Sequence, residues 1–267
     1  MLAVCNFLPT NNRPLLSLLR MDGRVMIDFN RSGIISSLIN QRIDRALELE
    51  HSFQPGRKYL GGSRVGLSCE RALQYEITNT PPDESTDGRI IRIFARGKWV
   101  EDAMVGWMRT AGFGIVPTDE YGNQFGFESH DGLVKGHCDG VIVAGPDELG
   151  PWPRLWENKG LMQKYFLPIV KHGLQAKSEV YWGQAQYYME KFKLTENPAL
   201  FSVVNMNTME IHWEEIPYDR DYVLQLDAKA KRVLMATKTG EMLPRISKTD
   251  NFYICKMCSY LKRCFDK

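Results

Sequence analysis

Apolar and polar residues follow two periods along the chain, and the switches between them outline its elements. Apolar positions at Ile35, Leu38, Ile39, Ile43, Ala46 and Leu47 recur at helical spacing and predict a surface-packed helix over 34–53. Gly61 and Gly62 mark a turn, a second helix is expected over about 67–77, and the polar, proline-bearing stretch 78–88 reads as a loop. A long helix follows over roughly 90–111, with Phe94, Trp99, Ala103, Trp107 and Met108 as its core face. The period then shortens to two. Strands are expected at 114–117, 124–128, 132–139, 141–144 and 154–159, separated by Gly, Asp, Asn and Pro. A helix at 178–193, strands at 200–206 and 209–216 and a helix at 219–239 complete the series. Helix, sheet, helix, two strands, helix is the order of one α/β core. Residues 1–33 are expected to be poorly structured and 34–267 to form one domain; there is no internal repeat.

Composition narrows the classes. Of 267 residues 43% are hydrophobic and 25% charged, as in a water-soluble globular chain. No apolar run approaches the roughly 20 residues that span a bilayer. The first residues lack a basic start and a cleavage site, so they read poorly as a secretion signal; Met21 and Met26 are alternative starts, and the expected compartment is the cytoplasm. A net charge of +2 does not announce nucleic-acid binding. Its distribution says more: residues 229–267 carry ten Lys/Arg against Glu241, Asp250 and Asp266, which leaves the remainder negative. A basic end on an acidic body suits a protein that grips phosphates with one part and holds cations with another, and a solvated basic tail fits equally well.

Candidate chemistry lies mid-chain. Asp139 sits between two expected strands, and Glu157, Asn158 and Lys159 end the next one. Residues two apart on a strand share a face, so Glu157 and Lys159 converge while the Asn158 side chain turns away and its carbonyl stays available to a metal. Carboxylates are hard ligands for Mg²⁺ or Mn²⁺, and a lysine beside them orients a water or steadies an oxyanion. Alone, an Asp followed by Glu-x-Lys is a common surface pattern.

The wider series is more specific. Gly136-x-x-Asp139, Glu157-x-Lys159 and Gln184-x-x-x-Tyr188, preceded by Gly97-x-x-x-Glu101, resembles the motif series of RecB-like nucleases of the PD-(D/E)xK superfamily. The resemblance runs from about Ser63 to the C-terminus. It implies a restriction-endonuclease-like fold, a mixed central sheet flanked by helices, and Mg- or Mn-dependent hydrolysis of DNA. By resemblance Glu101 stands where many relatives carry a metal-binding histidine, joining Asp139, Glu157 and the Asn158 carbonyl as ligands. Gln184 is implied near the catalytic groups, with Gln186 as its rival; Tyr188 is either catalytic or packing. Gly62-Ser63…Gly66-x-x-Cys69-x-Arg71 and Phe94-x-Arg96-Gly97 are similar to phage-encoded exonucleases. That implies single-stranded or free-ended DNA as substrate and a phage recombinase or single-strand-binding protein as partner; Arg71, Arg96, Lys98 and the C-terminal lysines are candidate phosphate contacts. A DNA-binding or assembly factor without turnover, and a ring-forming double-strand exonuclease of the lambda type, remain alternatives.

Six cysteines are present, and Cys255, Cys258 and Cys264 form Cys-x₂-Cys-x₅-Cys. Thiols at this spacing, without a secretion signal, favour metal over disulfide, and Cys69 is the best fourth ligand. One distant cysteine before the motifs and three after them resembles AddB-type and CRISPR-associated RecB-like nucleases, which implies a 4Fe–4S cluster joining the C-terminal tail to the N-terminal helices. Structural Zn²⁺ on the same thiolates is the rival. Cys5, Cys138 and His137 read as bystanders.

Overall fold

A computed structural model describes residues 29–265, with side chains from Gly33. The described residues divide into two units, 29–42 and 43–265. The described part of the first is the opening of helix α1 (Phe29–Ser52), which starts ahead of the expected position 34. The remainder of the segment expected to be unstructured, and Cys5 with it, lie outside the described residues. Along α1, Ile35, Leu38, Ile39 and Ile43 are exposed, so the stripe read as a packing face is not covered by described residues.

The second unit continues with β1 (Leu60–Gly61), α2 (Glu70–Ile77), α3 (Gly88–Thr110), β2 (Gly114–Val116), β3 (Gly126–Ser129), β4 (Val134–His137) and β5 (Gly140–Ala144). Then come β6 (Arg154–Leu161), α4 (Gln163–His172), α5 (Leu174–Lys177), α6 (Glu179–Phe192), β7 (Ala199–Asn205), β8 (Ile211–Ile216), α7 (Arg220–Thr239), α8 (Tyr253–Lys256) and α9 (Leu261–Cys264). Side-chain caps begin three of these helices: Asp87 accepts from Ile90 N, Ser178 from Tyr181 N and Asp219 from Tyr222 N. Each such cap contributes about 1 kcal/mol.

The strands form two mixed sheets flanked by helices, where one central sheet was expected. Five strands run in the order β2-β5-β6-β7-β8 and three in the order β1-β4-β3. In the larger sheet β6 and β7 are parallel, with α4 to α6 as the crossover, and the other neighbours are antiparallel. β6 and β7 are central and read as nearly continuous buried runs, whereas the edge strand β8 alternates. The chain passes from one sheet to the other between His137 and Gly140, and Cys138 is wholly buried at that passage. Asp139 therefore stands at the seam between the sheets.

Helix α3 corrects one expectation. Its buried stripe is Val100, Met104, Val105 and Met108, while Phe94, Trp99 and Trp107 are exposed. Apolar residues occupy more than one face of this helix, and periodicity alone does not select the face that meets Ile142, Trp156 and Val204. On the other side of the large sheet, α6 is buried along most of its length. Its backbone meets the loop before α2 so closely that a Cβ on Gly183 would lie 2.5 Å from Gly66 Cα, and one on Gly66 would lie 2.5 Å from Glu179 O. Glycine at both positions sets that approach. No helix among the described residues is long and apolar enough to cross a membrane.

Candidate active site

β5 and β6 pair with Gly140 opposite Trp156, so Asp139 comes level with Glu157. The Asp139 carboxylate reaches across to β6, where its Oδ2 accepts the Asn158 backbone N–H at 2.8 Å. Strand alternation does the rest. Lys159 Nζ donates to Glu157 Oε2 at 3.2 Å and to Asp139 Oδ2 at 3.5 Å. On the opposite face Trp156 Nε1 donates to Ser202 Oγ at 2.9 Å, and Ser202 Oγ donates to Asn158 Oδ1 at 2.8 Å. The second chain of bonds holds the strand from beneath while the first gathers charge on top.

Helix α6 closes the group. Gln184 is buried, and its Nε2 donates to Glu157 Oε2 at 2.5 Å. Its rival Gln186 points elsewhere: it donates to Pro217 O at 2.7 Å and accepts from Asp219 N at 2.8 Å, fixing the start of α7. One turn on, Tyr188 is buried against Phe127 with ring centroids 5.3 Å apart. A Cβ on Gly136 would lie 2.7 Å from the Tyr188 hydroxyl oxygen, so the first residue of the Gly-x-x-Asp motif is glycine to admit this ring. Burial, then the Glu157 charge, raise the Tyr188 pKa and keep the phenol neutral.

The electrostatics follow from two carboxylates and an ammonium gathered in a buried place. Burial and the neighbouring Asp139 push the Glu157 carboxyl well above its ordinary range. Burial works against the Lys159 ammonium, but Asp139 and Glu157 overcome it and hold the lysine charged. Glu157 Oε1 is buried with no hydrogen-bond partner among the described residues. A buried acceptor left unpaired costs about 1–3 kcal/mol, and more when it carries charge. Glu101 joins at one remove: burial and the Asp139 charge raise its pKa, while its Oε1 accepts from Lys98 Nζ at 2.7 Å and Gln124 Nε2 at 3.2 Å. Among the described residues no group of three or more His, Cys, Asp or Glu is gathered closely enough to hold a metal ion. Asp139, Glu157, Lys159 and Gln184 are brought together; Glu101 is not drawn into contact with them.

Beside Lys159 and Gln184 opens a cavity of about 400 Å³ whose charged lining is Arg57, Arg64, Lys135 and Lys159. Tyr59, Tyr181 and Tyr188 supply its aromatic walls. Local sequence pattern does not single out Arg57, Arg64, Lys135 or Gln124, and it places Tyr181 on an aromatic core face rather than in a cavity wall. Lys135 comes nearest to a local signal, two residues from His137 on one face of β4. The expected phosphate contacts lie elsewhere. Lys98 pairs with Glu101 and Asp102. Arg96 is half-buried on α3 and outside this lining. Arg71 donates to Leu243 O at 2.5 Å and stands 3.9 Å from Cys264 Sγ, so it serves the C-terminal segment.

That segment docks on α2. Gln74 clasps it through Glu241 O at 2.6 Å and Leu243 N at 2.9 Å, and Tyr75 meets Tyr260 with centroids 5.1 Å apart. Cys69, Cys255, Cys258 and Cys264 are free thiols lining one cavity of about 740 Å³. Burial and then the neighbouring cysteines raise the pKa of Cys255. One zinc ion, with Zn–S bonds near 2.3 Å, requires four sulfurs roughly 4 Å apart. No such tight group is present among the described residues. Cys138 is buried in the core, away from them.

No family model matches the chain, and no curated protein matches it. Among solved structures, the chain is similar to an alkaline exonuclease (LHK-Exo) from Laribacter hongkongensis, at 15% identity over 70% of this chain and 91% of that one, with a TM-score of 0.48. The structure of LHK-Exo in complex with dAMP matches at 14% identity over 69% and 90% of the two chains, with a TM-score of 0.49.

Proposed function

We propose that this chain is a PD-(D/E)xK nuclease of the RecB-like branch, a Mg²⁺- or Mn²⁺-dependent exonuclease acting on DNA ends. The observation that carries the reading is Lys159 Nζ bridging Asp139 and Glu157 beside the partnerless Glu157 Oε1. Asp139, Glu157 and the Asn158 carbonyl would hold the ion, with Glu101 as a further ligand. Bound there, the ion supplies a Lewis acid that makes a water nucleophilic and offsets charge on the phosphate. Gln184 fixes the Glu157 carboxylate, Lys159 holds the water and donates to the developing oxyanion, and Tyr188 packs the floor. Arg57, Lys135 and the tyrosines of the adjacent cavity receive a single strand through its phosphates and bases.

In this reading the four cysteines hold a 4Fe–4S cluster, with zinc as the alternative, and the enzyme serves phage recombination, repair or replication in the host cytoplasm beside a recombinase or single-strand-binding protein. A second reading has one observation in its favour: Lys159 fills the gap between the carboxylates and no tight ligand group is found among the described residues, as in a DNA-binding factor without turnover. End-labelled DNA incubated with Mn²⁺ separates the two. Release of nucleotides by the native chain and its loss in Asp139→Ala supports the nuclease; binding without cleavage at any Mn²⁺ concentration defeats it. Iron content and visible absorbance of anaerobically purified protein decide between cluster and zinc.

A further inference from the structure

Helix α3 covers only part of the sheet face on which it packs. It buries Met104 and Met108 against Ile142, Trp156 and Val204. Farther along that face β8 pairs Ile211 with Val204, Trp213 with Ser202 and Glu215 with Leu200, so these three β8 side chains lie on the α3 side. Between them, the end of α3 and the 146–153 loop runs a groove of about 670 Å³. Its walls carry Trp107 at 46% exposure, Leu149 at 50%, Ile211 at 41% and Trp213 at 39%. Large apolar side chains from three separate segments thus converge on one open surface, the mark of a contact site rather than of scattered surface residues. The wall behind them is firm: Phe113 stands edge-on to Trp152 with centroids 6.0 Å apart, and the Arg154 guanidinium lies 5.4 Å from the Trp152 ring.

The charges of the groove say what it would take. Its charged lining is Glu148, Arg154 and Glu215. The Arg154 side chain is 5% exposed and fully engaged, donating to Pro151 O, Gly150 O and the Glu215 carboxylate. Glu148 has no ion-pair partner among the described residues. An apolar floor under an unbalanced acidic rim complements an apolar side chain that is flanked by positive charge. We propose that this groove docks a segment of a partner protein that presents a Trp, Phe or Leu beside a Lys or Arg. A DNA strand or an anionic bilayer would meet the same carboxylates with like charge. The inference goes beyond the nuclease reading and does not rest on it. Along β6, Arg154 and Trp156 alternate with Glu157 and Lys159, so the groove lies on the sheet face opposite the candidate active site, and a partner seated there leaves the basic cavity open.

The test is selection of short random peptides by phage display on the immobilised full chain, with counter-selection on Trp213→Ser. Sequences with Trp, Phe or Leu next to Lys or Arg are expected to enrich on the native chain alone. Remade with a fluorophore and followed by anisotropy, they should bind Trp213→Ser about tenfold more weakly. Glu148→Lys should weaken them about threefold at low ionic strength, a difference that fades as KCl rises. Both variants should cut DNA at the native rate. If Trp213→Ser unfolds, Trp107→Gln on the exposed side of α3 carries the same comparison. No enrichment over the variant, enrichment of acidic sequences, or equal affinity for Trp213→Ser overturns the proposal. Self-association of the native chain in light scattering that Trp213→Ser abolishes assigns the groove to a second copy and also overturns it. Selective peptide binding by a chain that leaves DNA uncut keeps this proposal and removes the nuclease reading; cut DNA without peptide binding does the reverse.

Discussion

Replacing Lys159 by alanine removes the ammonium that, among the described residues, faces both Asp139 and Glu157. Its nitrogen lies 3.2 Å from one carboxylate and 3.5 Å from the other, and its side chain is 20% exposed. Removing one partner of a buried ion pair costs about 3–5 kcal/mol. The partial exposure of Lys159 and the readiness of Glu157 to protonate bring the expected loss to roughly 2–3 kcal/mol. For a body of this size about 1 kcal/mol moves the melting temperature by 2–4 °C, so the metal-free variant should melt roughly 5–10 °C below the native chain at alkaline pH.

The pH dependence follows from Glu157, whose pKa is raised in the folded state by burial and by Asp139. An acid raised on folding contributes stability below its unfolded value, near 4.3, and loses it as pH rises through the folded value. Without the ammonium that value rises further, so the variant's deficit grows with pH and shrinks in acid. Manganese should rescue it. An ion at a hundred times its dissociation constant stabilises by about 2.7 kcal/mol, and the open pair of carboxylates should respond more than the native site does. Differential scanning calorimetry with and without Mn²⁺, at acid and alkaline pH, measures all three effects, and DNA cleavage should fall by about 10²-fold or more. An equal melting temperature at alkaline pH, or a deficit that ignores pH, would refute the assignment of Lys159 as the group that neutralises the two acids.

Gln184→Leu removes the 2.5 Å donor to Glu157 and should lower the cleavage rate by about 10²-fold. Gln186→Leu breaks the ties to Pro217 and Asp219, so urea titration should show a loss of about 1–3 kcal/mol with cleavage retained. Asp227 is held at a pKa of about 2: burial opposes its charge, but Lys231, Lys191 and His130 prevail. A depressed acid stabilises above its unfolded pKa and loses that as pH falls toward the folded value. Asp227→Asn should therefore cost about 1–2 kcal/mol at neutral pH after solvent screening and nothing near pH 2, as read by denaturant titration. Cys69→Ser and Cys258→Ser should each reduce bound iron or zinc and expose the 253–264 segment to limited proteolysis, and unchanged metal content in both would remove the cysteine site.

Long amphipathic elements were legible because their pattern repeats. α6, α7 and the strands around Asp139 fall within a few residues of their expected places, since alternation and caps are local signals. α4 was not read: Pro168 lies inside it, and a proline at such a position argues against a helix. The four-residue helices α8 and α9 are too short to show a period. The face of α3 was misread because Trp99 and Trp107 outweigh Val100 and Met104 in hydrophobic bulk while facing out. Of the site, the pair on β6 followed from strand alternation. The basic cavity did not, because β1 must pair with β4, Leu60 against Val134, before Arg57 and Arg64 come near Lys135. Nothing within a sequence window encodes that pairing.

The acids of the candidate site also repel one another. Glu101, Asp139 and Glu157 against Lys159 leave two negative charges when all are ionised, the charge that one divalent cation would balance. The fold limits that repulsion in two ways: Glu157 and Glu101 have raised pKa values that favour a proton, and Lys159 leans between Glu157 and Asp139. Lys98 and Gln124 draw off Glu101 in the same way. Glu157 Oε1 has no such relief, since Gln184 and Lys159 both bond Oε2. A carboxylate oxygen buried without a donor persists only where the surrounding fold tolerates the loss. β6 can tolerate it because Trp156, Ser202 and Asn158 are bonded beneath it and Leu155 and Phe201 are packed around it. Stability concentrated under the strand is what permits an unsatisfied carboxylate oxygen on top of it.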